Sequence, residues 1–234
     1  MSFLCNMKLN HATGSCKMHN LDADKCYIDL HVHTQRYSPC AELLDPVLLL
    51  DRLQNSKLSG IVITEHDKLW SKDEIRELNA NLRGKRFYRG VEVSSLLGHF
   101  VAIGLESLDG IEPGISIEEL TRSTRKKGAV LILVHHHLSN YAVKSPLKAQ
   151  ILPDAIDAIE VASTVTLGEN QQEAERIAKS RGWIPVAGSD AHCIESVGRT
   201  CTVFPALPAN EKELARAICL GLGIPIRMDA GIEP

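Results

Sequence analysis

The sequence predicts a single α/β domain in which short strands alternate with helices. From residue 27 onward, apolar segments alternate with amphipathic segments that carry helix-start signals. Repeated strand–helix units predict a largely parallel sheet with the helices outside. A closed barrel of seven or eight strands fits the 234 residues better than an open sheet. No second composition zone or long linker is present, so we expect one domain over 27–234 behind a leader, residues 1–26.

Eight apolar segments are the candidate strands. They are 27–33, 61–64, 87–94, 99–105, 129–135, 156–161, 184–188 and 200–204. The first helix is expected to begin at Asp45-Pro46, a capping residue followed by a proline in the first turn. Serine followed three residues later by glutamate predicts capping boxes at Ser71 and Ser116. Two further helices are expected near 168–181 and 210–221.

Composition excludes several classes of function. The net charge of −3 gives no general attraction for nucleic acid or an anionic membrane, and 4% aromatic residues argue against base-stacking platforms. No apolar run reaches the roughly 18 residues of a membrane span, and residues 1–26 lack the apolar core of a signal peptide. Seven cysteines without a CxxC pair predict neither a disulfide framework nor a zinc knuckle, which favours a cytoplasmic protein.

The first predicted strand carries an unusual group of polar residues. Asp29, His31 and His33 follow one another at a spacing of two. Alternate side chains of a strand share a face, so these three are expected to project together. Burying a carboxylate and two imidazoles at one point is costly unless something binds there. The spacing therefore predicts a site for a divalent metal ion.

Further ionisable residues follow other predicted strands at the point where each strand ends. They are Glu65, His66 and Asp67, then Glu92, then His135, His136 and His137, and finally Asp190 and His192. In a parallel barrel the carboxyl ends of the strands meet at one mouth. Four or five strands would thus bring histidine and acidic residues to the same place, which predicts a metal cluster.

In their order and spacing these motifs resemble the PHP (polymerase and histidinol phosphatase) family. The matching stretches are 29–34, 63–67, 90–94, His135 and 188–192. The resemblance implies a distorted seven-stranded (β/α) barrel of the PHP type. It also implies a two- or three-metal centre that hydrolyses phosphate esters.

The resemblance implies a set of metal ligands. They are His31, His33, His66, Glu92, His99, His135, Asp190 and His192. Four of these match the ligands of one metal: His31, His33, Glu92 and Asp190. Glu92 would bridge to a second metal that His135 also holds, and His66 and His192 would belong to a third. His99 is either a ligand or a strand-end histidine with a structural bond, and Asp29 is expected to orient an imidazole.

Two positions depart from the family's pattern. The family usually has an aspartate or histidine shortly after the second histidine of the first motif, but residues 35–42 contain neither. Cys40 or Glu42 could substitute, or the third site is weak or differently completed. Glu65 stands where the family commonly has aspartate, and its longer side chain could shift His66.

Imidazole and carboxylate ligands suit zinc, manganese or iron without selecting among them. Two such ions would generate a hydroxide nucleophile from a bound water. The catalytic candidates are Glu92, His192 and His137, and His192, His136 or His137 could protonate the leaving group. The substrate-binding candidates are Arg199, Arg36 and His136. Glu160, which ends a strand, could lie behind a ligand or bond the substrate.

The function expected is hydrolysis of a small phosphomonoester through metal-activated hydroxide at a two- or three-metal centre. One alternative is an exonuclease or phosphodiesterase that acts on short oligonucleotides, and another is a catalytically silent metal-binding module. Barrel hydrolases of C–N bonds are a weaker alternative because they commonly use a carboxylated lysine, and no lysine lies at a suitable strand end. A small phosphorylated substrate is the expected partner, without membrane or extended nucleic acid. The oligomeric state stays open.

Overall fold

The computed structural model describes residues 25–41, 43–136 and 155–228, which form nine strands and five α-helices. The strands are β1 (Cys26–Val32), β2 (Leu58–Ile63), β3 (Arg86–Ser95), β4 (Gly98–Ile103), β5 (Val130–Leu133), β6 (Ala158–Ala162), β7 (Ile184–Ala187), β8 (Thr200–Phe204) and β9 (Ile224–Arg227). The helices are α1 (Pro46–Asn55), α2 (Lys72–Asn79), α3 (Ile117–Lys126), α4 (Gly168–Arg181) and α5 (Glu211–Cys219). Most of the predicted leader, together with Glu42 and His137, lies outside the described residues.

All nine strands belong to one sheet, in the order β7–β6–β5–β4–β3–β2–β1–β8–β9. The runs β1–β2–β3 and β5–β6–β7 are parallel, whereas β4, β8 and β9 run antiparallel to their neighbours. The sheet nearly closes on itself, because Ala191 beyond β7 donates to the carbonyl of His31 (3.3 Å) and accepts from the amide of His33 (2.9 Å). The predicted distorted α/β barrel is confirmed.

Two strands differ from the repeating parallel pattern. Only Leu96 and Leu97 separate β3 from β4, and a connection this short permits an antiparallel hairpin but no helical crossover. Strand β9 has no counterpart among the predicted strands. It is four residues long, contains Pro225 and exposes Ile224, which is typical of an edge strand with a weak sequence signal.

Both faces of the central strands are buried. In β4, Phe100 and Ala102 pack in one apolar cluster with α3, and Val101 and Ile103 pack in another with α5. Strands covered on both faces leave little room for buried polar groups unless those groups find partners. The buried histidines and carboxylates of the barrel therefore need a specific explanation.

The first three predicted helices begin where the sequence placed them, but only one of the two predicted capping boxes is complete. The Asp45 carboxylate accepts from the amide two residues further on, at 2.7 Å. Ser71 and Glu74 form a complete capping box at α2. At α3 the Ser116 hydroxyl accepts from the amide of Glu119 and also contacts its carboxylate, so the second half of that box is not formed. None of the described helices combines the length and apolarity that crossing a membrane requires.

Glu74 also ties α2 to the loop that follows β1. Its Oε1 accepts from the Tyr37 hydroxyl at 2.8 Å and lies 2.8 Å from Nη2 of Arg36. Burial alone would raise the pKa of Glu74, but hydrogen bonds from Ser71 and Tyr37 and the charge of Arg36 lower it to about 2. The loop behind the first histidine motif is thereby anchored to a helix N-terminus.

We expect the Glu74→Ala variant to lose about 1 kcal/mol of unfolding free energy at pH 7, because it removes a capping carboxylate. The folded pKa, about 2, lies below the ordinary 4.5, so this contribution is complete above pH 4.5 and is lost as the pH falls toward 2. Urea denaturation of both proteins at pH 7 and at pH 2 measures this loss and its dependence on pH. Glu77→Ala, on an exposed position of the same helix, is the control, and equal losses in the two variants would contradict the prediction.

Candidate metal centre

The centre of the site is Glu92, a fully buried residue in β3. Both of its carboxylate oxygens face imidazoles, and the two oxygens face different ones. Oε1 lies 2.8 Å from His99 Nδ1 and 2.9 Å from His135 Nε2, whereas Oε2 lies 3.1 Å from His33 Nε2, 3.1 Å from His66 Nδ1 and 3.3 Å from His31 Nε2. One carboxylate thus separates two groups of nitrogen atoms, which is the arrangement of a bridging ligand.

Five strands bring the predicted residues to this point. They supply His31 from β1 and His33 directly after it, His66 after β2, His99 from β4, His135 after β5, and Asp190 and His192 after β7. His99 is at the beginning of its strand rather than the end. It nevertheless reaches the same edge, because β4 runs antiparallel to β3 and its start lies beside the end of β3.

Three residues at this edge adopt backbone angles that are unusual for residues with a side chain. Asp67, His135 and Asp190 have φ angles of 51°, 27° and 54°. Such left-handed conformations cost free energy and cluster at functional sites. Asp67 is held by its contacts with β3: its amide donates to the Glu92 carbonyl (2.8 Å) and its carboxylate accepts from the Ser94 amide (2.7 Å).

The first predicted ligand set is brought together. His31 Nε2 and His33 Nε2 lie 3.1 Å apart, and each lies 3.4 Å from Asp190 Oδ1 and within 3.3 Å of Glu92 Oε2. Four tetrahedral ligand atoms at about 2.0–2.1 Å from a zinc-like ion are separated by about 3.4 Å. The donor atoms and their separations therefore fit a metal ion, and metal binding itself stays a prediction.

The remaining predicted ligands extend the first group and form two further groups that overlap with it. His135 joins the first group through Glu92, since His31, Glu92, His135 and Asp190 offer ligand atoms that lie within 4.8 Å of one another. His66 and His192, predicted for a third metal, form a group with His33. His66 also groups with Glu92 and His99. The group that contains His66 and His192 thus also includes His33, which the sequence analysis assigned to the first metal alone.

Electrostatics separates these histidines into two kinds. Burial lowers the pKa of His66 to about 4 and also lowers that of His192, so both rings are neutral near pH 7. Burial alone would lower the pKa of His31 as well, but the charges of Asp190 and Glu92 raise it well above its ordinary value. The carboxylates thus favour positive charge at the first ligand set, and a divalent cation supplies such charge.

The orientation of His31 comes from Glu160 in β6. Its Oε2 lies 3.0 Å from Nδ1 of His31, and the side chain is buried. A proton on Nδ1 leaves the lone pair of Nε2 directed at Glu92 and Asp190, as a metal ligand requires. Of the two roles that the sequence left open for Glu160, the position behind a ligand fits this contact.

The prediction that Asp29 orients an imidazole is wrong. Its buried carboxylate accepts instead from the main-chain amides of Ser189 (2.8 Å), Gly198 (2.8 Å) and His31 (3.3 Å). Burial raises the pKa of Asp29 to about 6. Asp29 therefore joins β1 to the segment that carries Asp190, and it positions ligands through the backbone.

The substrate-binding candidates have other partners. Arg36 pairs with Glu74 and its guanidinium lies over the ring of Trp70, 5.1 Å from the centroid. Arg199 is exposed, and its Nε donates to the carbonyl of Glu195 at 2.6 Å. His136 is buried. The contacts described for the two arginines thus hold loops in place, and substrate binding by these three residues stays a prediction.

Among the described residues, the two positions that differ from the family pattern, 35–42 and Glu65, supply no metal ligand. Glu65 is buried and bonds to the loop after β1 and to Trp70 Nε1. Cys40 is exposed, and it belongs to none of the metal-binding groups among these residues. Sequence reasoning missed Ser38, whose hydroxyl contacts both His33 and Glu65, because a loop serine gives no signal of its own.

The fold and this cluster define an α/β barrel protein with a histidine–carboxylate centre, and comparisons with known proteins agree. Residues 168–221 match the family described as PHP-associated. No curated protein matches the sequence. A two-domain protein from Bacteroides vulgatus, which contains a predicted PHP-like metal-dependent phosphoesterase, is similar with a TM-score of 0.66 and 21% identity. The similarity covers 87% of this chain and 65% of that protein.

Two further solved structures resemble the chain. One is a Bifidobacterium adolescentis protein assigned as a metal-dependent phosphoesterase, with a TM-score of 0.61, 15% identity, and coverage of 87% of this chain and 97% of that one. The other is a lesion-specific endonuclease from Pyrococcus furiosus, with a TM-score of 0.59, 17% identity, and coverage of 87% and 58%. The chain shares its fold with these proteins, as the resemblance of its motifs predicted.

We expect Glu160→Ala to weaken metal binding about 10- to 100-fold, because His31 loses the acceptor that fixes its ring. Titration of the full chain with Zn²⁺ measures this. Asp157→Ala is the matched control: Asp157 is a partly buried acid just before the same strand, and it accepts from the Leu131 amide. Unchanged affinity in Glu160→Ala, or the same loss in both variants, would contradict the role of Glu160.

Proposed function

We propose that this protein is a metal-dependent hydrolase of phosphate esters and that its substrate is a small phosphomonoester. The observation that carries the proposal is the position of Glu92, whose two oxygens face separate groups of imidazoles. A carboxylate shared by two ions is typical of centres that carry out in-line displacement at phosphorus. The likeness to proteins named as metal-dependent phosphoesterases supports the same reaction.

The chain's own residues have distinct tasks in this reaction. His31, His33 and Asp190 would hold one ion, and His135 would hold the second, with Glu92 shared between them. When bound, zinc, manganese or iron would lower the pKa of a water molecule and neutralise charge on the phosphoryl oxygens. Burial of the ligand side chains keeps their charges unscreened by solvent and so strengthens their hold on the ions.

His192 suits a ligand better than a proton donor. Its Nδ1 lies 3.0 Å from the main-chain carbonyl of Asp190, so Nδ1 donates there and Nε2 keeps its lone pair. Burial lowers its pKa, so the ring is neutral near pH 7. We therefore assign protonation of the leaving group to His136 or His137, the other two candidates of the sequence prediction, of which His137 lies outside the described residues.

The proposal of a small substrate rests on charge. The net charge of −3 gives no field that would attract a polyanion, and Arg36 and Arg199 already bond to Glu74 and a loop carbonyl. Hydrolysis of short oligonucleotides is the second candidate, because a lesion-specific endonuclease shares the fold. The same centre would serve both reactions, since each breaks a phosphate ester bond.

Turnover of a series of substrates separates these candidates. The full chain is assayed with Mn²⁺, Zn²⁺ or Fe²⁺ on p-nitrophenyl phosphate, a mononucleotide and a dinucleotide. We expect the monoesters to be hydrolysed faster than the dinucleotide. Faster cleavage of the dinucleotide would identify the nuclease, and metal binding without hydrolysis of any of the three substrates would identify the catalytically silent metal-binding module.

We expect Glu92→Gln to lower turnover of p-nitrophenyl phosphate by at least about 100-fold, more than the loss of a group behind a ligand produces. The amide keeps the shape of the side chain but cannot bridge two cations. Glu106→Gln is the control, since Glu106 is an exposed acid paired with Lys72 outside the cluster. Turnover of Glu92→Gln within a few-fold of the unmodified protein would exclude the two-metal mechanism.

A further inference from the structure

Ser38 connects a metal-ligand candidate to a buried acid. It lies in the loop after β1 and is fully buried. Its Oγ is 3.3 Å from Nδ1 of His33 and 2.5 Å from Oε2 of Glu65. The three side chains thus form a continuous line from a carboxylate outside the ligand set to an imidazole inside it.

The direction of these hydrogen bonds follows from the partners of Glu65. Its carboxylate accepts from the amide and the hydroxyl of Thr34 and from Nε1 of Trp70, and a carboxylate has no proton to give in return. The single hydroxyl proton of Ser38 is therefore directed at Glu65. The oxygen of Ser38 is left as an acceptor, and it faces Nδ1 of His33 and the amide of His66 at 3.3 Å.

This direction decides which nitrogen of His33 carries the proton. An acceptor at Nδ1 requires a proton there, so the lone pair remains on Nε2. Nε2 is the atom that lies 3.1 Å from Glu92 Oε2 and 3.4 Å from Asp190 Oδ1. The His33 ring is thus presented to the first ligand set in the form that binds a cation.

We propose that Ser38 and Glu65 are positioning residues of the metal centre: Glu65 orients the Ser38 hydroxyl, and Ser38 fixes the protonation and ring orientation of His33. The proposal rests on the proposed metal-dependent function. The pair also accounts for two features of the sequence at once. The described part of the loop after His33 offers no acidic or histidine ligand, and the side chain of Glu65 is long enough to reach Ser38.

The same arrangement on the neighbouring ligand supports this assignment. Glu160 contacts Nδ1 of His31 directly, at 3.0 Å, whereas Glu65 acts on His33 through Ser38. Both imidazoles of the first motif therefore have an acceptor at Nδ1, and their Nε2 atoms converge to 3.1 Å. Groups placed behind metal-binding histidines in this way set ring orientation and ligand basicity.

The first test reads the ring of His33 directly. Nitrogen-15 NMR spectra of histidine side chains in the full chain, recorded with and without Zn²⁺, report which nitrogen is protonated. We expect a proton on Nδ1 of His33 in the unmodified protein and a changed Nδ1 signal in Ser38→Ala. A ring protonated only at Nε2 in the unmodified protein overturns the proposal, even if the Ser38→Ala variant fails to fold.

The second test measures affinity for Zn²⁺. We expect Ser38→Ala to bind the ion about 10- to 100-fold more weakly. Thr34→Val is the matched control, because it also removes one buried hydroxyl from Glu65, but at the oxygen Oε1 that does not face Ser38. Thr34→Val should retain the affinity within a few-fold, and equal losses in the two variants would show that Glu65 acts only in packing.

Failure of this proposal is distinguishable from failure of the proposed function. If the unmodified chain binds Zn²⁺ but hydrolyses no phosphate ester, the function is wrong, and the two tests above still decide the role of Ser38. If it binds none of Zn²⁺, Mn²⁺ and Fe²⁺, the proposed function fails, and the protonation of His33 in the metal-free protein decides the hydrogen-bond direction. Normal hydrolysis with an Nε2-protonated His33 would exclude the positioning role alone.

Discussion

The burial of one carboxylate constrains the whole site. Glu92 has no exposed surface, and a buried charge of this kind costs several kcal/mol unless opposite charges and hydrogen-bond donors surround it. Five imidazoles from four strands or their ends surround it. Burial alone would raise the pKa of Glu92, but the charge of His31 and the contacts with His135 and His33 lower it well below its usual range. The barrel is the scaffold that brings these strands to one point.

Behind the ligand atoms lies a second set of buried acids with different tasks. Glu160 contacts an imidazole directly, and Asp29 accepts from three main-chain amides, which joins β1 to the segment after β7. Asp29 keeps its carboxylate among donors, yet burial still raises its pKa to about 6. Its ionisation therefore costs folding free energy near neutral pH, a cost that the main-chain hydrogen bonds offset in part.

The sequence alone was sufficient to predict those parts of the site whose positions depend on the spacing of residues along a strand. His31 and His33 share a face because strands alternate, and Glu92, His135 and Asp190 lie at one edge because parallel strands end there. Features that depend on tertiary structure were not predictable. The place of His99 follows from the antiparallel direction of β4, and the partners of Arg36 and Asp29 come from distant segments. A short, half-exposed strand such as β9 has too weak a pattern to recognise.

The distribution of cations around the centre bears on the choice between a phosphatase and a nuclease. A nucleic-acid phosphodiesterase needs cations beyond the reacting phosphate, because neighbouring phosphates also carry charge. In the described residues, the guanidinium of Arg36 is neutralised by Glu74, and Arg199 bonds within its own loop. The two cations predicted to bind the substrate therefore already have partners, and the charge for a reacting phosphate would come from ions held at the ligand cluster. A substrate with a single phosphoryl group needs charge only there, whereas an oligonucleotide would leave its flanking phosphates without partners among these groups, and on this ground we favour the monoester.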